Sequence, residues 1–230
     1  MSDKNLAKIS VRCVGFIMDG NRRFAKEREQ STLAGHLAGK EKFLDVVDWL
    51  VEEEIPHGVF YAFSTENWQR DKTEVGYLMD LFRQMLRKIK EDSEKRKVNV
   101  RIIGRRVDLP DDIQRMIGEL EVTEMKYKTT VWLAISYGGR AEIMMAVNKA
   151  IEQGKKIKEE EFLKLLWTVG MPDPDIIIRT SGEHRLSNFL PWQSVYSEFF
   201  FIDTNWPAFT KTEFVGILEQ YGKRKRRIGR

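Results

Sequence analysis

At 230 residues, with 42% hydrophobic and 32% charged side chains, the chain has the composition of a folded soluble protein and not of a disordered one. Its formal charge of +4 comes from the end of the chain: residues 223–230 hold six of the 39 basic groups, and the remainder carries two more acidic than basic residues, which argues against a nucleic-acid partner. Apolar runs such as 59–63 and 199–202 are too short to span a bilayer, Asp3, Lys4, Asn5 and Lys8 interrupt any signal-peptide core, and the single Cys13 excludes a disulfide framework, so cytosolic residence is the default expectation.

In chain order, short β-rich runs alternate with longer amphipathic stretches. A strand is predicted over 11–17 and a helix over 33–53, then a strand over 58–63 and a helix over 72–96. In the second helix Val75, Leu78, Met79, Phe82, Met85, Leu86 and Ile89 follow helical spacing. A strand over 98–103 precedes a helix over 110–125, where Pro110, Asp111 and Asp112 suit a helix N-terminus. Strand 130–135, helices 140–153 and 159–167, strands 175–179 and 198–202, and helix 211–224 complete the pattern. Such alternation predicts an α/β fold: a central, mainly parallel six-stranded sheet flanked by helices. No repeat or linker divides it, so residues 1–230 read as one domain with a basic tail over 223–230.

Most polar clusters follow a predicted strand: residues 19–23, 64–68, 104–106, 137–140 and 180–183. Ligands of open α/β sheets bind outside the carboxyl ends of the strands, so these clusters are expected to converge. They bring together arginines (Arg22, Arg23, Arg70, Arg140, Arg179, Arg185), carboxylates (Asp19, Glu66, Glu183, Glu198) and hydroxyls (Ser64, Ser181, Ser187). Guanidinium forks suit phosphate oxygens, and one or two carboxylates with phosphates are the usual protein share of a Mg²⁺ site. There is no P-loop, dinucleotide fingerprint, nucleophile elbow or paired-histidine metal motif. A phosphorylated substrate held with a metal is the reading left.

The segments at 15–25 (GFIMDGNRRFA), 61–68 (YAFSTENW) and 173–183 (DPDIIIRTSGE) resemble cis-prenyltransferases, the Z-type polyprenyl diphosphate synthases. So do 185–193 (RLSNFLPWQ), the turn at 137–140 (YGGR) and the end motif at 227–229 (RIG), all in the family's order. The resemblance implies repeated condensation of isopentenyl diphosphate, in cis, onto an allylic diphosphate primer such as farnesyl, geranyl or geranylgeranyl diphosphate. It further implies a cis-prenyltransferase fold, Mg²⁺ and a homodimer. Asp19 would be the central catalytic carboxylate and metal ligand, and Gly20, Asn21, Arg22, Arg23, Phe24 and His36 would surround the allylic diphosphate. Arg179, Arg185 and Ser187 would bind isopentenyl diphosphate. Phe63, Ser64, Asn67, Trp68 and Arg70 match the stretch that closes over the substrates, with Asn67 in a catalytic role. Glu198 matches a metal-site carboxylate given by the neighbouring subunit. An apolar product implies transient contact with a membrane surface.

Three positions depart from the family pattern. Thr32 stands where an arginine usually precedes the histidine matched by His36, leaving Arg22 or Arg28 to supply that cation. Ser136 replaces a common asparagine before the YGGR turn, and Asp71 replaces a common proline. The alternative reading is a non-catalytic partner subunit of the same fold; the presence of Asp19, Asn21, Arg179, Arg185 and Glu198 weighs against it.

Overall fold

The computed structural model describes residues 11–121, 126–154 and 156–224. Strands β1 (Cys13–Ile17), β2 (His57–Ser64), β3 (Val98–Ile103), β4 (Thr129–Tyr137), β5 (Ile176–Arg179) and β6 (Glu198–Phe201) form one sheet, ordered β3-β4-β2-β1-β5-β6. Every pairing is parallel, so the expected mainly parallel sheet is wholly parallel here. Parallel neighbours require crossover connections. These contain the helices α1 (Asn21–Lys26), α2 (Thr32–Glu52), α3 (Lys72–Arg96), α4 (Asp111–Glu121), α5 (Gly139–Glu152) and α6 (Glu159–Leu163), and α7 (Lys211–Lys223) follows β6.

Each helix start has a local cause. Ser31 Oγ accepts the Ala34 N–H at the head of α2, and Asp71 accepts the Thr73 N–H at the head of α3. At α7, Thr210 and Glu213 form a reciprocal capping box. The short α1 was not anticipated: its six residues bury little more than Ala25 and read as a polar loop. The helix predicted over 159–167 stops at Leu163. Beyond it, Thr168 N–H and Oγ1 both donate to the buried Glu142 carboxylate at 2.9 Å, which draws the backbone off the helical path. The end of the predicted helix 110–125, the RIG motif at 227–229 and most of the basic tail lie outside the described residues.

Strand side chains alternate between two apolar layers. Val14 and Phe16 of β1, Phe60 of β2, and Val131, Leu133 and Ile135 of β4 face a core with Phe43, Val47 and Leu50 of α2, Phe82 and Leu86 of α3, and Phe214 of α7. Phe16 stacks on Phe60 at 4.8 Å and Phe43 meets Phe60 edge-on at 4.7 Å. Burying each such ring contributes about 1.5–3 kcal/mol. On the other face Cys13, Ile17, Val59, Trp132 and Ile177 meet Phe189 and Leu190 from the irregular segment before β6.

The topology fixes where a ligand can sit. From β1 the chain crosses to β2 on one side, and from β5 it crosses to β6 on the other, although β1 and β5 are neighbours. Divergence at adjacent strand ends opens a crevice. Ile17 pairs with Arg179 at the last rung of that junction, so Asp19 and Arg179 stand at its mouth.

Candidate active site

Asp19 follows β1 by two residues and is held on three sides. Its Oδ2 accepts Nη2 of Arg179 at 2.9 Å, its Oδ1 accepts the Gly20 N–H at 2.8 Å, and its carbonyl accepts Thr180 Oγ1 at 2.6 Å and Trp206 N–H at 3.0 Å. Gly20 turns the chain with φ of 106°, and a Cβ there would stand 2.5 Å from Asn205 Oδ1, so glycine is required twice over. Close packing also places the next residue. A Cβ on Gly39 of α2 would lie 2.4 Å from Asn21 Oδ1, and the missing side chain lets α1 settle on α2. Asn21 Oδ1 is buried and has no hydrogen-bond partner among the described residues.

Arg179 ends β5 with a side chain only 4% exposed. Besides Asp19 it donates to Ser187 Oγ at 2.8 Å and to the Arg185 carbonyl, while its buried Nε has no partner among the described residues. The loop after β5 folds back through left-handed positions at Ser181, Ser187, Asn188 and Leu190, which returns Ser187 to the end of β5. Arg23 reaches the same loop, donating to Ser181 Oγ at 2.6 Å and to Glu183 at 2.5 Å. Glu183 also accepts from Arg185 at 2.5 Å, and Arg185 first, then Arg23, holds its carboxyl below the ordinary range. Glu183 therefore spans the arginines assigned to the two substrates.

Across the cleft, Glu74 of α3 gathers His36 Nε2 at 3.1 Å and two guanidinium groups, Arg70 at 3.0 Å and Arg22 at 3.8 Å. His36 is 8% exposed, and burial pushes its pKa down despite the opposing pull of Glu74. A 3-10 turn over Thr65–Gln69 closes this side, with Ser64 N–H donating to Asn67 Oδ1 at 3.1 Å.

These residues line a cleft of about 290 Å³ that includes Asp19, Gly20, Asn21, Arg22, Arg23, His36, Ser64, Asn67, Arg70, Arg179 and Ser187. Five predicted site residues fall outside its lining: Phe24, Phe63, Trp68, Arg185 and Glu198. Phe63 is buried in the core, Trp68 packs on it at 4.9 Å, Phe24 lies beneath the Arg28 guanidinium, and Arg185 stands outside, largely exposed. Of the five polar clusters only 19–23 and 64–68 line the cleft; 180–183 backs it through bonds to Asp19 and Arg23, Arg140 lines an adjoining cavity, and 104–106 stands apart, with Arg105 paired to Asp108 and Arg106 to Glu121. Ile17, Tyr61 and Ala62 line it unanticipated, Leu78 joins them from the apolar row of α3, and Glu74, behind the lining, is the unforeseen partner of its basic groups. Glu74 lies four residues after Arg70, the one signal that could have drawn attention to it.

Glu198 is not beside Asp19 in the same chain. It opens β6, level with Ile176 at the far end of the strands, and pairs with Arg224. Among the described residues no group of three His, Cys, Asp or Glu side chains could hold a metal alone. Past Met18, Ala62 and Leu78 the polar cleft opens into an apolar one, walled by Phe43, Met85 and Leu133, which continues toward Ile89 and Arg96. Arg96 closes that far end through an ion pair with Asp48.

Residues 17–229 match the family model described as putative undecaprenyl diphosphate synthase. The chain belongs to that family. An isoprenyl transferase of Thermotoga maritima is 46% identical over 222 residues, covering 94% of this chain and 95% of its own. A geranylgeranyl-diphosphate-specific tritrans,polycis-undecaprenyl-diphosphate synthase of Pyrococcus abyssi is 43% identical, covering 99% and 90%. The fold is similar to that of lavandulyl diphosphate synthase from Lavandula x intermedia, solved in complex with dimethylallyl diphosphate, with a TM-score of 0.91, 30% identity, and coverage of 97% and 100%. The chain is thus a prenyltransferase, and the cis-prenyltransferase fold expected from its motifs is present.

Two of its departures from the family pattern have local explanations. Asp71 serves as the N-cap of α3, a role its side chain can fill and a proline could not. Thr32 begins α2 at the surface; of the two arginines expected to stand in for it, Arg22 lines the cleft and Arg28 stacks on Phe24.

Proposed function

We propose that this prenyltransferase condenses isopentenyl diphosphate in cis onto an allylic diphosphate primer, with Mg²⁺, as a homodimer. The observation that carries the reading is the Asp19–Arg179 pair at the head of a cleft that is polar there and apolar beyond. A diphosphate joined to a hydrocarbon chain has that same division.

Arg179, Arg185 and Ser187 are assigned to the diphosphate of isopentenyl diphosphate, and the unpartnered Arg179 Nε supports a further acceptor there. Gly20, Asn21, Arg22, Arg23, His36 and Arg70 are assigned to the primer's diphosphate. Asp19 would hold Mg²⁺ with substrate oxygens, a donor set that fits this ion because it commonly takes one or two carboxylates plus phosphates. When bound, the ion would stabilise charge on the departing diphosphate. The arginines supply fixed positive charge to the same oxygens, and Asn67 would orient the primer from the closing turn. Met18, Ala62 and Leu78 keep water from the reacting carbon and pass the growing chain toward Met85 and Leu133.

Glu198 would complete the metal site of a second copy. The exposed apolar side chains of Val195, Tyr196 and Phe199, which flank Glu198 in the chain, support a covered face there. No helix among the described residues is long and apolar enough to cross a membrane, so contact with a membrane surface is assigned to product release. The test is incubation of the isolated chain with farnesyl, geranyl or geranylgeranyl diphosphate, radiolabelled isopentenyl diphosphate and Mg²⁺. Extended cis product is expected with at least one primer; none with any of the three would sink the assignment.

A further inference from the structure

We infer that Ser136 and Asp108 are positioning residues: through Trp68 they hold the turn that carries Asn67 in place at the cleft. The turn over Thr65–Gln69 buries none of its residues fully, so it has little packing of its own. On its outer side Glu66 accepts from Asn188 at 2.9 Å. On its inner side Trp68 sits edge-on to Phe63 and donates its indole N–H to Ser136 Oγ at 2.9 Å.

Ser136 occupies an unusual place in the sheet. Phe63 of β2 pairs with Ile135, but Ser64 pairs with Tyr137, so Ser136 is the unpaired residue of a bulge in β4. It is fully buried with φ of 47°, in the left-handed region that serine rarely enters. Such bulges re-aim side chains, and a strained residue beside a functional cleft motivates a functional reading. Here the hydroxyl faces Trp68 and donates to Asp108 Oδ2 at 2.6 Å. Asp108 is fixed in turn by Arg105 Nε at 2.8 Å, and the Arg105 N–H bonds to the Ser136 carbonyl at 2.9 Å.

The direction of the relay follows from its members. A carboxylate can only accept, so the Ser136 proton is committed to Asp108 and the oxygen lone pairs are left for the indole donor. Ser136 Oγ and Arg105 Nε donate to the same oxygen of Asp108, so an amide there would keep both bonds, whereas Asp108→Ala removes the acceptor and frees the hydroxyl proton to oppose Trp68.

The experiment has two arms, of which the second rests on the prenyltransferase assignment and the first does not. In the first, the full chain without substrate is digested with trypsin, and cleavage after Arg70 is timed against the urea midpoint of each variant. Ser136→Ala and Asp108→Ala should raise that cleavage about tenfold. Ser136→Asn, whose amide both accepts and donates and tolerates positive φ, should stay within about twofold of the original chain. In the second, the same variants should lose about tenfold in kcat/KM for the primer, and Ser136→Ala should add less than about twofold in a Trp68→Phe background. Unchanged cleavage in folded Ser136→Ala and Asp108→Ala overturns the inference, as does full additivity of Ser136→Ala with Trp68→Phe. Failure of the original chain to extend any primer counts against the function and leaves the cleavage arm to decide on the relay.

Discussion

Asp19→Asn separates the electrostatic role of the central carboxylate from its shape. The amide oxygen can still accept the Gly20 N–H at 2.8 Å, but an NH₂ group then faces Arg179 Nη2 across 2.9 Å, donor against donor. Losing one charge-assisted hydrogen bond costs about 1.5–3 kcal/mol. A chain of this length loses about 2–4 °C per kcal/mol, so Tm should fall by roughly 3–12 °C and the variant should remain folded at 25 °C. Turnover should drop by about 10²–10³-fold, the usual effect of deleting one preorganised transition-state contact. Metal-free binding should move the other way. Removing a negative charge some 4 Å from a bound diphosphate is worth about 1 kcal/mol even at the dielectric of water, so affinity for isopentenyl diphosphate should rise about fivefold. Radiolabel incorporation gives the first number and calorimetric titration without metal the second. Turnover within about tenfold of the original chain, in a folded variant, would refute the role given to Asp19. Weakened metal-free binding would refute the charge argument.

Three further outcomes follow from the geometry. Gly20→Ala places a side chain at φ of 106° against Asn205 and Ser181, so it should cost at least about 1–2 kcal/mol in urea unfolding and lower turnover with it. The pKa values of His36 and His57 are both lowered from 6.5, chiefly by burial, so their ring protons should titrate below that value by NMR. A histidine depressed in the folded state binds fewer protons than when unfolded, so this stability is complete above pH 6.5 and is lost as pH falls through the folded pKa; His36→Gln should flatten that loss, and a folded-state titration above 6.5 would contradict it. Met85→Trp inserts a bulky ring where the two apolar cavities meet, and chromatography should show shorter products; unchanged length would remove Met85 from the path of the chain.

Much of the site was legible because strands in a parallel sheet deliver their following residues to one edge. Asp19, Ser64 and Arg179 could be brought together from sequence on that ground alone, and the sheet's six strands were placed to within two residues at each end. What escaped depended on contacts between distant segments. Glu74 sits on a helix whose apolar stripe drew the eye to its other face, and nothing local shows that it faces His36 of α2. Phe24 directly follows one polar cluster and Arg105 lies in another, yet Phe24 is turned beneath Arg28 and Arg105 is taken by Asp108. The end of α6 was equally hidden, since a buried glutamate 26 residues away sets it.

The link between Asp19 and Arg179 joins residues 160 positions apart, and the strands that carry them are direct neighbours in the sheet. While the chain is being synthesised, β1 can pair with β2 early, but its other edge stays open until β5 has emerged. The two charged groups of the cleft are therefore assembled in a late step, after most of the sheet exists to receive them. Asp19 also waits for the Trp206 N–H, which arrives later still. Partly made or misfolded copies thus lack the paired site altogether, so a chain able to grip a diphosphate with both groups is one whose central sheet has closed.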